Sequence, residues 1–337
     1  MELNIKLLEQ LVNIPSPSGY TKKKANFLIE YLTSLGYKPY QNQKGNVLVQ
    51  VEGKNEYNVG LSAHIDTLGL MVRSIKPNGK LSFTTLGGPL LNTYDGEYCR
   101  IHTRDNKEYT GTVLSNSPSA HVYKDARSKE RSEDAMEIRI DELVYNKQEV
   151  LNLGIQTGDI ISIDPKFEYT ASKYIKMRFL DDQGGAFLLL EVLRTLKEEN
   201  IKPENTLTFI FTTYEETGHG AANIPNVNEI LAVDMGCIGL DLQCNEEMVS
   251  ICPKDGGGPY DYDMTTKLIN FAKEEKLNYA VDIYPYYSSD GTAALRAGND
   301  IKCALIGPGI HASHGMERTH YNSLLNTYKL IMRYIKG

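Results

Sequence analysis

Residues 206–213 form a nearly continuous apolar and β-branched run that halts at Tyr214-Glu215-Glu216. A strand with so little alternation is buried on both faces, as in a parallel sheet covered by helices on each side. The flanking sequence agrees. Strand-like runs at 46–51, 58–63, 175–179, 230–233 and 302–306 alternate with amphipathic stretches of helical period. The first helix carries Ile5, Leu7, Leu8, Leu11 and Val12 and stops at a Pro/Ser/Gly cluster, residues 14–19. A second follows Thr21, with Gly36 as its stop. Others follow residues 180–185, span 262–276, and hold Leu324, Leu325, Tyr328, Leu330, Ile331 and Tyr334. The expected class is α/β, a mostly parallel sheet with helices on both faces.

Between residues 71 and 172 the texture changes. Short β-like runs alternate with Gly, Asn and Pro turns. This stretch reads as a small β-rich domain inserted into a larger one, whose two parts are residues 1–70 and 173–337. Its charged segment, 123–141, reads as a solvated loop.

Charge and cysteine usage then exclude whole classes of partner. Lys and Arg total 36, Asp and Glu 43, giving a net charge of −7. An acidic chain is poorly suited to track a phosphate backbone, and no apolar run reaches transmembrane length. Neither nucleic acid nor membrane is expected as a partner. The first residues carry charges throughout and lack the apolar block of a signal peptide. Five cysteines without a CxxC pair fit reduced thiols, so the expected location is cytoplasmic.

The chemistry gathers at predicted strand ends. His64, Asp66, Asp181, Glu215, Glu216 and Asp234 each fall just past one, where open α/β sheets bind ligands. Mixed imidazole and carboxylate donors suit Zn²⁺, Co²⁺ or Mn²⁺. His64, Asp181, Glu216, Asp234 and one histidine of His311, His314 and His320 make five ligands. That is more than one catalytic zinc needs, and it fits two ions sharing a bridging carboxylate and a bridging water. Asp66 lies two residues after His64, on the same side of an extended chain, and can hold the imidazole through its far nitrogen. Asp181 reads as the bridge, and Asp182 as the cap of the following helix. Adjacent carboxylates at the end of a buried strand repel unless a cation sits there. Glu216 is assigned to metal and Glu215 to the general base.

Ala63-His64-Ile65-Asp66-Thr67-Leu68-Gly69, Leu180-Asp181-Asp182-Gln183-Gly184-Gly185, Glu215-Glu216-Thr217-Gly218, Ala232-Val233-Asp234 and Ser313-His314-Gly315 occur in an order and spacing that resembles the tetrahedral (TET) or glutamyl aminopeptidases. The resemblance spans nearly the whole chain, insert included. It implies a zinc-peptidase-like fold and two divalent metal ions per chain, zinc first, with cobalt or manganese as alternatives. It places one ion on His64, Asp181 and Asp234, and the other on Asp181, Glu216 and His314. Asp66 would orient His64, and Glu215 would be the base. Asp290, in Ser288-Ser289-Asp290-Gly291, matches a family stretch beside the active site and is expected to contact substrate. The insert would be a dimerisation domain, with dimers building homo-oligomers up to dodecamers.

Two features depart from the family pattern. Thr67 replaces its usual Glu, and the tail reads His314-Gly-Met-Glu317 instead of His-Ser-Pro with a later Glu. With Gly257-Gly258-Pro259-Tyr260-Asp261-Tyr262, these variants resemble a divergent subgroup. Some of its members are linked to systems making N-acetylglutaminylglutamine osmoprotectants.

The expected activity is hydrolysis of N-terminal residues from peptides by a metal-bridged water, with a Glu general base. The alternatives are a metal-dependent deacylase or amidohydrolase acting on N-acylated peptides, and a non-catalytic scaffold of the same fold.

Overall fold

Four neighbouring strands run parallel at the centre of the main sheet, in the order Asn205–Thr212, Asn55–His64, Glu229–Val233, Lys302–Ile310. Phe209, Leu61, Leu231 and Ala304 are fully buried on them, as the apolar runs require. The computed structural model describes residues 2–337.

The sheet is mixed at its flanks. Val47–Val51 pairs antiparallel with Asn205–Thr212, and Val249–Asp255 antiparallel with Lys302–Ile310. Val249–Asp255 and Tyr279–Ile283 were not legible as strands in the sequence, and they pair in parallel with each other. Among the helices, Leu180–Glu198 packs on Asn55–His64, while Tyr262–Glu274 and Asp290–Arg296 pack on Lys302–Ile310. The first of these is buried along nearly its whole length.

Register sets the site. Thr212 pairs with His64, and Ala232 with Ser62, so Glu215, His64 and Asp234 emerge from one edge of adjacent parallel strands. Asp181 arrives differently from the expectation. The strand before it, Tyr174–Met177, belongs to a separate three-stranded sheet with Glu168–Tyr169 and Glu317–His320. The chain turns at Arg178-Phe179, where Phe179 adopts a φ of +69°, and delivers Asp181 from outside the main sheet.

The chain divides into two compact units, residues up to 66 with 166–337, and Thr67–Pro165. The second is a closed barrel of six strands, Gly69–Ile75, Leu81–Leu86, Met136–Ile140, Glu108–Ser115, Tyr98–His102 and Ile160–Ile163. The division falls at 67 and 165, not at 71 and 172. Gly69–Ile75 already pairs in the barrel, and Glu168–Tyr169 already pairs with the other unit. The charged segment 123–141 also differs from its reading as a loop. Its end, Met136–Ile140, is a barrel strand, and the buried Glu137 is neutralised by Lys76 and Lys80. Among the described residues, no helix is long and apolar enough to cross a membrane.

Two glycines let the backbone close around Asp234. A Cβ on Gly307 would come within 1.6 Å of the Asp234 carbonyl oxygen, and one on Gly185 within 2.5 Å of the Val233 carbonyl oxygen. Neither neighbour is a flexible tip that can swing aside. Gly307→Ala is expected to cost at least about 1–3 kcal/mol, the usual range for overpacking. Gly239→Ala, where nothing lies within 4 Å, is expected to change little. Urea midpoints of the two variants check this, and equal midpoints would contradict the close approach.

Candidate metal centre

His64 ends its strand and is almost fully buried. Its Nε2 lies 3.1 Å from Asp181 Oδ1 and 3.7 Å from Glu215 Oε2. Its Nδ1 lies 3.0 Å from the Asp66 backbone carbonyl and 3.6 Å from Asp66 Oδ1. The carbonyl, more than the carboxylate, therefore sets the ring. The Asp66 carboxylate has other work. It accepts the Ser18 hydroxyl at 2.5 Å and the backbone N–H groups of Glu215 and Glu216 at 3.1 and 3.3 Å. One buried side chain thus fixes the turn that carries both glutamates.

Asp181 stands between the two histidines, with Oδ2 3.4 Å from His314 Nε2. The peptide joining it to Asp182 is cis. Burial raises the Asp181 pKa, but His314 and His64 outweigh that and hold it well below the usual carboxylate range. Asp182 caps the helix as expected: Oδ1 accepts the Gly185 N–H at 2.9 Å and Oδ2 the His64 N–H at 3.1 Å.

Glu216 Oε2 lies 3.8 Å from His314 Nε2, while its Oε1 is buried with no hydrogen-bond partner among the described residues. Burial, with Asp181 next, pushes Glu216 well above its ordinary value. Burial raises Glu215 likewise, with Asp234, Asp290 and Glu216 adding to it. Asp234 is raised to about 7 by burial and by Asp181.

The structure distinguishes the three tail histidines. His320 accepts the Asn322 N–H at the start of the last helix and faces the Ser172 carbonyl. His311 is exposed and pairs through its backbone with Arg318. Only His314 of the three reaches Asp181 and Glu216. It does so at a φ of +63°, a conformation that costs a non-glycine residue energy and needs support from around it.

That support is Glu317, which the sequence reading left without a role. Its Oε1 accepts the His314 N–H at 2.9 Å and its Oε2 the Asp181 N–H at 3.1 Å. The fully buried Arg178 donates to the Gly315 carbonyl at 3.1 Å, tying down the same loop. The signal available in sequence was a lone Glu three residues after His314, and nothing in that spacing specifies a double bond to two backbone amides.

Asp290 differs from its expected place against substrate. It is buried, with Oδ2 accepting the Thr212 hydroxyl at 2.5 Å and Oδ1 the Ala221 N–H at 2.8 Å. Both oxygens are committed inside the protein. Opening a short helix whose cap is Ser289, Asp290 reaches back to the strand end and braces the glutamate turn from behind.

Donor atoms of His64, Asp181 and Glu216 lie within 4.8 Å of one another, as do those of His64, Asp182 and Asp234. The cluster sets six carboxylates, Asp66, Asp181, Asp182, Glu215, Glu216 and Asp234, against two imidazoles. A nearby ammonium, Lys24, is fully buried, spends its contact on Gln183, and is pushed down to about 7 by burial. A surplus of buried negative charge and an unpartnered Glu216 oxygen fit divalent cations held by nitrogen and oxygen donors.

A family model described as M42 glutamyl aminopeptidase matches residues 45–330. The chain is 43% identical over 336 residues to a putative aminopeptidase, YhfE, of Bacillus subtilis, covering 99% of this chain and 97% of that one. It also superposes on a TET aminopeptidase from a marine sediment Thaumarchaeota archaeon, with a TM-score of 0.89, 20% identity, and coverage of 98% and 96%. The TET1 peptidase of Pyrococcus horikoshii, which can assemble into a tetrahedron or a large octahedral shell, matches with a TM-score of 0.86 and 24% identity over 98% of both chains.

Glu317→Gln replaces one acceptor oxygen with a donor and sets it against a backbone N–H. It is expected to weaken metal binding about 10–100-fold, read by competition with a chromogenic chelator. Unchanged affinity would remove Glu317 from the site's support. A second outcome follows from Asp234. Between about pH 4 and about 7 the folded, metal-free chain keeps a proton that the unfolded chain has released, so stability falls as pH rises through that window. A bound cation favours the ionised form and cancels the penalty. The gain in Tm on adding Zn²⁺ is therefore expected to be larger near pH 7.5 than near pH 5.5. A gain that does not vary with pH would contradict binding at this cluster.

Proposed function

This chain belongs to the M42 glutamyl aminopeptidase family, and on that premise we propose that it removes N-terminal residues from peptides at the His64–Asp181–Glu216–Asp234–His314 cluster. The observation that carries the reading is Asp181 standing between the two histidines, 3.1 Å from His64 Nε2 and 3.4 Å from His314 Nε2, with Glu216 3.8 Å from the same His314 nitrogen. His64, Asp181 and Asp234 would hold one divalent cation, and Asp181, Glu216 and His314 a second. Zinc suits these donors first, then cobalt or manganese. When bound, such a pair polarises a carbonyl and makes water acidic enough to attack at neutral pH.

The chain's own groups do the rest. Glu215, 3.7 Å from His64 Nε2 and not assigned to metal, takes the proton of the attacking water. Water oxygen bonds to the scissile carbonyl carbon, the C–N bond breaks, and Glu215 returns the proton to the leaving amine. Asp66 fixes the direction of Glu215 through its backbone N–H, and Asp290 closes the turn from the other side.

The barrel unit exposes Tyr98, Val122, Leu143 and Tyr145, each at least 65% accessible, apolar side chains that association of copies would remove from water. With the shells formed by the TET1 relative, this favours a homo-oligomer built from dimers, up to a dodecamer. The five free cysteines favour a cytoplasmic location.

The test is to strip the protein with chelator, add back Zn²⁺, Co²⁺ or Mn²⁺, count bound ions and follow hydrolysis of free and N-acylated peptides. Two ions per chain and cleavage at free N-termini are expected. Cleavage of blocked peptides alone would assign a deacylase instead, and a folded chain that binds no metal would leave a scaffold. Glu215→Gln is expected to lower kcat about 10²–10⁴-fold with metal content unchanged. Near-normal turnover would remove Glu215 as the base.

A further inference from the structure

Tyr287 lies between the Tyr279–Ile283 strand and the Asp290–Arg296 helix, in a segment that supplies no residue to the cation-binding set. Its position is fixed from two directions. The backbone carbonyl accepts the Gly256 N–H at 2.8 Å, and a Cβ on Gly256 would come within 2.9 Å of that oxygen. Its ring stands edge-on to Tyr284 at 5.4 Å between centroids. Tyr284 is itself buried, and its hydroxyl pairs with Ser250. A ring packed against Tyr284 on an anchored backbone has less side-chain entropy to lose on binding.

That hydroxyl is buried and makes no hydrogen bond of normal geometry among the described residues. It sits within the electrostatic reach of Asp234, Asp181 and Glu215, which are two proposed ligands and the proposed base. It faces the Asp234 carboxylate and lowers its pKa as a donor does, but at the margin, outside normal hydrogen-bond length and angle. Leaving a buried donor unpaired costs about 1–3 kcal/mol. Cores rarely keep such a group, whereas a site that awaits an acceptor has reason to. The acceptor that appears in peptide hydrolysis is the scissile carbonyl oxygen as it becomes an oxyanion.

We propose that Tyr287 is a catalytic hydrogen-bond donor, giving its phenolic O–H to the carbonyl oxygen of the scissile bond as the tetrahedral centre forms. The inference rests on the aminopeptidase reading and deepens it. No proton is transferred: the phenol stays protonated, its ordinary state at neutral pH, and the bond strengthens as negative charge develops on the oxygen. Binding that grows in the transition state lowers the barrier without tightening substrate binding, so the effect belongs in kcat.

The competing role is structural, with Tyr287 only steadying Asp234. Tyr287→Phe removes the hydroxyl and keeps the packed ring. In the metal-loaded enzyme it is expected to lower kcat about 10²–10³-fold, the cost of losing one oxyanion donor, with KM and ions per chain unchanged. An α-aminophosphonate peptide, which presents tetrahedral oxyanions, should bind the variant more weakly by a similar factor. The free product amino acid should bind as to the wild type. Loss of bound metal in step with activity would overturn the proposal in favour of the structural role, and an unchanged kcat would overturn it outright. Wild-type protein that hydrolyses no free-N-terminus peptide would overturn the aminopeptidase reading, and this inference with it. An active wild type beside an equally active Tyr287→Phe sinks the inference alone.

Discussion

Negative charge packed at the carboxyl edge of four parallel strands is the constraint on which the rest of this molecule depends. Six carboxylates share a buried region with two imidazoles, and one Glu216 oxygen has no partner among the described residues. Burying like charges this closely is unfavourable in a low-dielectric interior unless protons or cations relieve it. The raised pKa values of Glu215, Glu216 and Asp234 are the protonic form of that relief. Bound cations would be the other form, and the only one that leaves the carboxylates ionised at neutral pH.

Holding such a cluster together takes more than its ligands. Asp66, Asp290 and Glu317 each bind two or more groups on other segments, and each spends its oxygens on backbone N–H or hydroxyl donors. Asp66 ties the Glu215–Glu216 turn to the His64 strand. Asp290 ties the segments on either side of that turn, at Thr212 and Ala221, to a helix far along the chain. Glu317 joins the loops bearing Asp181 and His314. Supporting carboxylates of this kind fix geometry before any ligand arrives, which is the condition for electrostatic catalysis. Gly185 and Gly307 contribute by absence, because only a residue without Cβ lets the neighbouring backbones close on Asp234.

The Asp181-Asp182 pair illustrates how two neighbours divide their work. Asp182 satisfies the start of the helix and the His64 amide, while Asp181 faces the histidines. Identical side chains one residue apart therefore end on opposite sides of the pKa scale. Imidazoles hold Asp181 low, and burial beside Asp234 drives Asp182 up.

Periodicity and residue type alone determined the parallel core, the β-rich insertion, and the strand ends where His64, Glu215, Glu216 and Asp234 stand. These are local properties: an apolar run dictates a buried strand, and a strand end dictates an exposed edge. The choice of His314 over His311 and His320 needed, within the sequence, the resemblance to a known family. In the structure His314 alone of the three lies beside Asp181 and Glu216, because the three differ in which distant segments they meet and not in their surroundings along the chain. The same holds for Asp181, which arrives from a separate small sheet, for Asp290, which turns inward to Thr212 and Ala221, and for Tyr287, whose orphaned hydroxyl has no sequence signature. Contacts between residues so far apart along the chain are set by how helices and sheets pack. No short-range pattern carries that information, so tertiary structure alone decided it.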